Sequence, residues 1–227
     1  MPIELVVCDI AGTSLEDNDA VSHCFREALS EAGLQAPSTL INSVMGIHKP
    51  LAIRQIISEI GGTHKEAFLA QADVIHHDFV KRMIDYYTHD PEVREVPGAS
   101  RVFAELRAAG IKIALDTGFG RKITNVIIER LAWKNSIDAS LCSDEVLRGR
   151  PHPDLILQLM GILGVSDPKK VCKIGDTPSD LQQGTKAGCG YVVGVTQGSH
   201  TREQLMKEPH THLIGTIAEL PKLLGIA

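Results

Sequence analysis

Short apolar runs that break off in turns of small and polar residues recur along this chain, with helical patterns between them. Val6-Val7-Cys8 delivers Asp9 into the turn Ile10-Ala11-Gly12-Thr13, and Ile111-Lys112-Ile113-Ala114-Leu115-Asp116 runs into Thr117-Gly118. Shorter runs follow at Ser140 to Cys142, Val171 to Ile174 and Tyr191 to Val195, and the second of these opens into Gly175-Asp176-Thr177-Pro178-Ser179-Asp180. Strands that are apolar all round must be covered on both faces, as in a parallel sheet clad in helices. The expected fold is therefore α/β, with a Rossmann-like, doubly wound parallel sheet. In such sheets ligands bind beyond the carboxyl ends of the strands, and that is where the polar turns collect.

The helical patterns are unevenly spread, and from about residue 15 to 90 no strand pattern appears. Val21, Cys24, Phe25, Ala28, Leu29 and Ala32 recur at helical spacing, and Gly33 offers a stop. Pro50, a natural first helical residue, opens a second helix with Ile53, Ile56, Ile57 and Ile60 on one face and Gly61-Gly62 at its end. A longer helix is striped by Phe68, Ala72, Ile75, Phe79, Met83 and Tyr86, a stripe that suits a core or a dimer surface better than a cofactor box. Pro97-Gly98 marks the change of regime. Residues 15–90 are thus expected to form an all-helical cap, inserted into a core made of residues 1–14 and 91–227.

Composition narrows the function classes. The 227 residues are 43% hydrophobic and 22% charged with a net charge of −5, and they show no basic stripe, which argues against a nucleic-acid partner. No apolar run approaches the ~18 residues of a membrane span, and the N-terminus begins on a strand, without a basic and apolar leader. Five cysteines form no CxxC pair, and three of them lie in apolar runs as small hydrophobes do, so a reduced, cytoplasmic protein is expected. His76 and His77, and His210 and His212 around a late strand, make no zinc spacing and are expected on the surface.

If the strands are parallel, four strand ends converge: Asp9 with Gly12-Thr13, Thr117-Gly118, Arg148-Gly149-Arg150-Pro151, and Asp176 to Asp180. Carboxylates, a hydroxyl and a guanidinium on one edge suit a hard cation and a phosphoryl group. Mg²⁺ takes oxygen ligands and keeps waters, and Arg offsets charge on phosphoryl oxygens. A carboxylate nucleophile can form an aspartyl-phosphate intermediate. In this order the motifs Asp-x-Ala-Gly-Thr, Thr-Gly, Gly-Arg-Pro and Gly-Asp-Thr-Pro-Ser-Asp resemble the haloacid dehalogenase superfamily over nearly the whole chain. More narrowly they resemble the phosphonatase-like hydrolases, which also carry Ala and Arg where the superfamily's phosphatases carry Asp and Lys, here at Ala11 and Arg150.

The resemblance implies Asp9 as nucleophile, and Mg²⁺ held by the Asp9 carboxylate, the Ala11 carbonyl and Asp176, with Asp180 ordering the metal shell. It implies Thr117 and Arg150 on the phosphoryl group, Gly12, Thr13, Met45, Gly46, His48 and Gly118 around the substrate, and a dimer through the cap. In a phosphomonoesterase the group at position 11 protonates the leaving alkoxide, a transfer typically worth ~10²–10⁴ in rate. Alanine cannot do this, but P–C cleavage next to an imine needs no such proton. Lys49, in Met45-Gly46-Ile47-His48-Lys49, stands where phosphonatases place their Schiff-base lysine. Just before Pro50 it is expected at a helix N-cap, where the dipole favours the free amine. Ala52, Phe119 and Asp19 stand where phosphonatases carry a histidine, a tyrosine and a cysteine, which points to the phosphonatase-like hydrolases beside those enzymes. The substrate is read as a small phosphonate or phosphorylated metabolite. Two alternatives stay open: a phosphoglycolate phosphatase-like phosphomonoesterase with a substitute acid such as His48, and a non-catalytic phospholigand sensor.

Overall fold

The computed structural model describes residues 2–226. Its strands are β1 (Leu5–Asp9), β2 (Lys112–Thr117), β3 (Ala139–Cys142), β4 (Val171–Gly175), β5 (Tyr191–Val195) and β6 (His212–Ile214). They form one sheet in the order β3-β2-β1-β4-β5-β6, and every pair is parallel. The order reverses at β1, so the crevice beyond β1 and β4 is the topological switch point of a doubly wound sheet. Asp9 ends β1 there, in register with Asp116 of β2. Alternation along β1 explains its all-apolar sequence: Val6 and Cys8 face one buried cluster, Leu5 and Val7 the other.

Between β1 and β2 the chain is helical, as its sequence pattern predicts. The helices are α1 (Ala20–Glu31), α2 (Ser38–Ser43), α3 (Lys49–Ile60), α4 (Lys65–Ala70) and α5 (Ala72–His89). The remaining helices are α6 (Ala99–Ala108), α7 (Arg121–Arg130), α8 (Asp154–Leu163), α9 (Pro178–Ala187), α10 (Arg202–Leu205) and α11 (Leu220–Leu223). Residues of α6 and α7 join the cluster that includes Val6 and Cys8, and those of α8 and α9 join the cluster on the opposite face. The first cluster runs without a break into the cap through Phe25, Ile53, Phe79 and Tyr87.

Three details depart from the sequence pattern. α3 begins at Lys49, so His48 is the N-cap and Pro50 lies one residue inside the first turn. The long helix expected from Phe68 to Tyr86 is two helices, separated at Gln71, where the backbone N–H bonds Phe68 O in a tight turn. Its buried face ends on Tyr87, because the i, i+4 step from Met83 lands there and leaves Tyr86 on the flank. α2 was not anticipated: six residues are too short to show a period.

Phe25 of α1 and Phe79 of α5 stack at 4.4 Å between ring centroids and are fully buried. Phe79→Ala should lower stability by about 3–5 kcal/mol in chemical denaturation, the usual cost of truncating a core aromatic. Leu147, 94% exposed, should accept serine within about 0.5 kcal/mol.

Candidate active site

The turn after β1 is built so that a second carboxylate can lie against it. Ser14 and Leu15 return their N–H groups to Ile10 O, and the Ser14 hydroxyl donates to Asp9 O at 2.8 Å. Gly12 sits at φ +84°, and a Cβ there would lie 2.4 Å from Asp176 Oδ2. Only glycine allows both the backbone conformation and the approach. Asp176, just past β4, accepts from Thr13 Oγ1 at 3.3 Å and from Ser199 N and Oγ at 2.7 Å each.

Behind Asp9 lies a buried ionic chain. Arg150 donates to Asp9 Oδ1 at 2.6 Å and also to Asp180. Lys173, from the middle of β4, sits 2.9 Å from Asp180 Oδ1 and donates to Asp116. All five side chains are almost wholly buried. Thr177 completes the far end, capping α9 with its hydroxyl while Asp180 reaches back to the Thr177 N–H.

Burial favours the neutral form of each group, and the partners decide the outcome. For Asp180 burial is outweighed by Arg150, Lys173 and the Thr177 hydroxyl, which hold its carboxyl down at about 2. Burial would depress Lys173, but Asp116 and Asp180 keep its ammonium above the usual value. Asp9 goes the other way: burial, with Asp180 and Asp176 nearby, raises its carboxyl against the pull of Arg150. Asp176 is raised to about 6 by burial and by Asp180.

The cap contributes its loop before α3. A Cβ on Gly118 would lie 2.8 Å from Ile47 O, and one on Gly46, at φ +77°, would lie 2.5 Å from Thr177 Oγ1. Paired glycines therefore let the cap backbone rest on the strand ends. This contact delivers Lys49, 3% exposed, with its Nζ 5.3 Å from the ring centroids of both Phe25 and Phe119. Burial, and then the Arg150 charge, bring its pKa down to about 8. The N-cap dipole expected from sequence is thus not the main cause: burial is.

A cavity of about 30 Å³ brings together Asp9, Ala11, Met45, Gly46, Lys49, Thr117, Gly118 and Arg150 from the sequence-predicted set. Gly12, Thr13, Asp176 and Asp180 support it from behind, whereas His48 lines a separate, neighbouring cavity. The oxygen donors suit a hard divalent cation. Asp9, Asp116, Asp176 and Asp180 outnumber the buried basic side chains around them, Arg150, Lys173 and Lys49, by one. Asp9, Asp116 and Asp180 also offer oxygens within 4.8 Å of one another, but that cluster already encloses Arg150 and Lys173.

The model of the haloacid dehalogenase-like hydrolases matches residues 6–194. The chain belongs to that family. A phosphonoacetaldehyde hydrolase from Bacteroides fragilis is 29% identical over 96% of this chain and 87% of its own length. Another, from Hahella chejuensis, is 30% identical over 86% of this chain and 68% of its own. Among solved structures, a phosphonoacetaldehyde hydrolase-like protein from Oleispira antarctica superposes with a TM-score of 0.84, at 22% identity, over 99% of this chain and 92% of that one. The haloacid dehalogenase-like fold thus accounts for both the sheet order and the helical cap.

Several residues of this hydrolase's site escaped the motif reading. Lys173 had a signal, a lysine inside the apolar run of β4. Asp116, the next-to-last residue of β2, was read as a strand end rather than an ion partner. Ser199 and Asp17 lie in loops without a pattern, yet both line the cavity.

Lys173→Met would leave Asp116 and Asp180 sharing a buried site with one cation fewer. It should cost about 3–5 kcal/mol in denaturant titration, and Lys173→Met with Asp116→Leu should recover part of that loss.

Proposed function

We propose that the chain is a Mg²⁺-dependent phosphonatase-like hydrolase of a small phosphonate, working through an aspartyl-phosphate on Asp9 with Lys49 forming a Schiff base. One observation carries this reading: the Lys49 amine and the Asp9 carboxylate line one small cavity, beside an alanine at position 11. In this reading the cap, residues 15–90, covers a core of residues 1–14 and 91–227. Asp9, Asp176 and the Ala11 carbonyl would hold Mg²⁺, which when bound supplies positive charge against the phosphoryl oxygens.

With its pKa brought down to about 8, Lys49 offers free amine near neutral pH. The amine adds to the substrate carbonyl, and loss of water leaves an iminium. Asp9 then attacks phosphorus. The P–C electrons pass into the iminium and leave as an enamine on Lys49, so no alkoxide requires the proton that Ala11 lacks. Water cleaves the acyl phosphate to restore Asp9. The enamine takes up a proton, and a second water frees the carbonyl product from Lys49. Arg150 and the Thr117 hydroxyl hold the phosphoryl group, while Gly46, Gly118 and Met45 close the wall around it.

A second reading has its own observation. Asp17 lines the same cavity, and burial raises its carboxyl, so a second acidic side chain stands close to Asp9 where Ala11 supplies none. A phosphomonoesterase with Asp17 as the substitute acid follows. A solved structure from Haemophilus somnus, itself only predicted to be a phosphoglycolate phosphatase, has the same fold at a TM-score of 0.82 and 19% identity, over 97% of each chain. The reduced, buried state of all five cysteines suits a cytoplasmic setting. Among the described residues no helix is long and apolar enough to cross a membrane.

Borohydride added to the enzyme with Mg²⁺ and phosphonoacetaldehyde should fix a two-carbon adduct on Lys49, detectable by peptide mass spectrometry. An unmodified Lys49 sinks the Schiff-base reading. If a phosphate monoester is then turned over, and Asp17→Asn slows it by about 10²-fold or more, the monoesterase reading replaces it.

The metal assignment has a pH signature. Asp176 is raised to about 6 without a cation, so its ionised form penalises the folded protein above that pH, and protons compete with the cation below it. The rise in Tm on adding Mg²⁺ should therefore be larger at pH 8 than at pH 5.5, and should vanish in Asp176→Asn.

A further inference from the structure

We propose that a second cavity, on the seam between cap and core, holds the far end of the substrate, and that this end carries a carboxylate. The inference rests on the reading of Asp9 and Lys49 as the reaction centre. The two cavities are unlike. The one around Asp9 measures about 30 Å³, while its neighbour measures about 290 Å³. Lys49 lines both. A substrate with phosphorus at Asp9 and its carbonyl at Lys49 can extend past the lysine into the larger space.

The chemistry of that space selects the extension. Besides Lys49 and the exposed His77, its basic groups are His48 from the N-cap of α3, His76 from α5 and Lys122 from α7. Its two carboxylates are already engaged. Asp73 pairs with Arg54 at 3.0 Å, and Asp144 takes the Arg121 N–H on both oxygens at 3.1 Å, capping α7. Lys122 has no carboxylate partner among the described residues. His76, expected on the surface, is half-buried, and burial lowers both imidazoles from their usual pKa, leaving them neutral N–H donors at neutral pH. Val80 and Ile123 supply an apolar wall for a short methylene chain. One ammonium with two imidazoles fits a carboxylate through charge-assisted hydrogen bonds. Among the described residues one group that could suit a metal reaches this cavity, Cys142, Asp144 and Glu145, but Arg121 is already paired with its Glu145.

The test is a calorimetric comparison on the Mg²⁺-loaded protein. The probes are 3-phosphonopropionate and 4-phosphonobutyrate, set against propyl- and butylphosphonate. At one chain length the carboxylate should bind about tenfold tighter or more, the size of a single charge-assisted contact. That advantage should shrink to about twofold in Lys122→Met and in His76→Phe, two variants that leave the Asp9 cavity untouched. Equal affinities, or an advantage that survives both substitutions, overturn the proposal. If no phosphonate binds, the reading of the reaction centre fails, and the subsite is judged on glutarate alone. Shifts in the imidazole NMR signals of His48 and His76 would then uphold it, and unmoved signals would overturn it.

Discussion

The pairing of Arg150 with Asp9 and Asp180 is the constraint on which the rest of the structure depends. A guanidinium that is 1% exposed is tolerable only where carboxylates surround it, and the two that do come from opposite ends of the chain. Asp9 arrives on β1, Asp180 on α9, and Arg150 from the loop between β3 and α8. Only the parallel order, with β1 and β4 side by side, brings all three to one edge. Lys173 extends the chain to Asp116 and thereby ties the ionic network to the register of β1 against β2. The same network that organises the fold leaves one oxygen face of Asp9 towards the cavity, so its structural and chemical roles are set by one arrangement.

The cap obeys a different constraint. Its helices join the core through an unbroken apolar cluster, yet the contact nearest the reaction site is made by backbone, at Gly46 and Gly118. Even a methyl group there would push the cap backbone away from the strand ends. The outcome is a lysine carried by the cap, enclosed by one aromatic ring from the cap and one from the core, Phe25 and Phe119. Desolvation of that amine therefore depends on the cap being seated. A cap that lifts would re-expose Lys49 to water and return it towards an ordinary ammonium, which links the seating of the cap to the reactivity of the amine.

What the sequence made legible follows from which physical signals are local. The strands, the doubly wound sheet and the inserted helices were readable because apolar runs and helical spacing are local patterns, and so were the four motifs at the strand ends. Contacts across the fold left weaker traces. Lys173 is one residue in an apolar strand, and its partners lie 57 residues upstream and seven residues downstream in sequence, so only the folded sheet reveals the pair. Asp17 has no spacing to mark it, because its importance comes from the loop that folds it towards Lys49. The start of α3 was placed one residue late because Pro is most favoured at the first helical position, whereas Pro50 occupies the second.

Ala11 takes on a sharper meaning once these contacts are in place. A missing acid at that position leaves the reaction in need of another proton source, unless the chemistry dispenses with one. The folded chain holds both answers within one cavity: an amine whose pKa burial has lowered to about 8, and a carboxyl, Asp17, that burial has raised. Each is shifted towards its neutral form, and for a carboxyl beside an amine that is the state in which one can give a proton and the other can act as a nucleophile. In the proposed P–C cleavage the two would act together, the acid serving the dehydration that forms the iminium. In P–O cleavage the acid alone suffices and the lysine becomes a bystander. The burial of Lys49 favours the first. The faces of Phe25 and Phe119 attract an ammonium, yet burial still brings the pKa of Lys49 down to about 8, which leaves a share of free, nucleophilic amine near neutral pH.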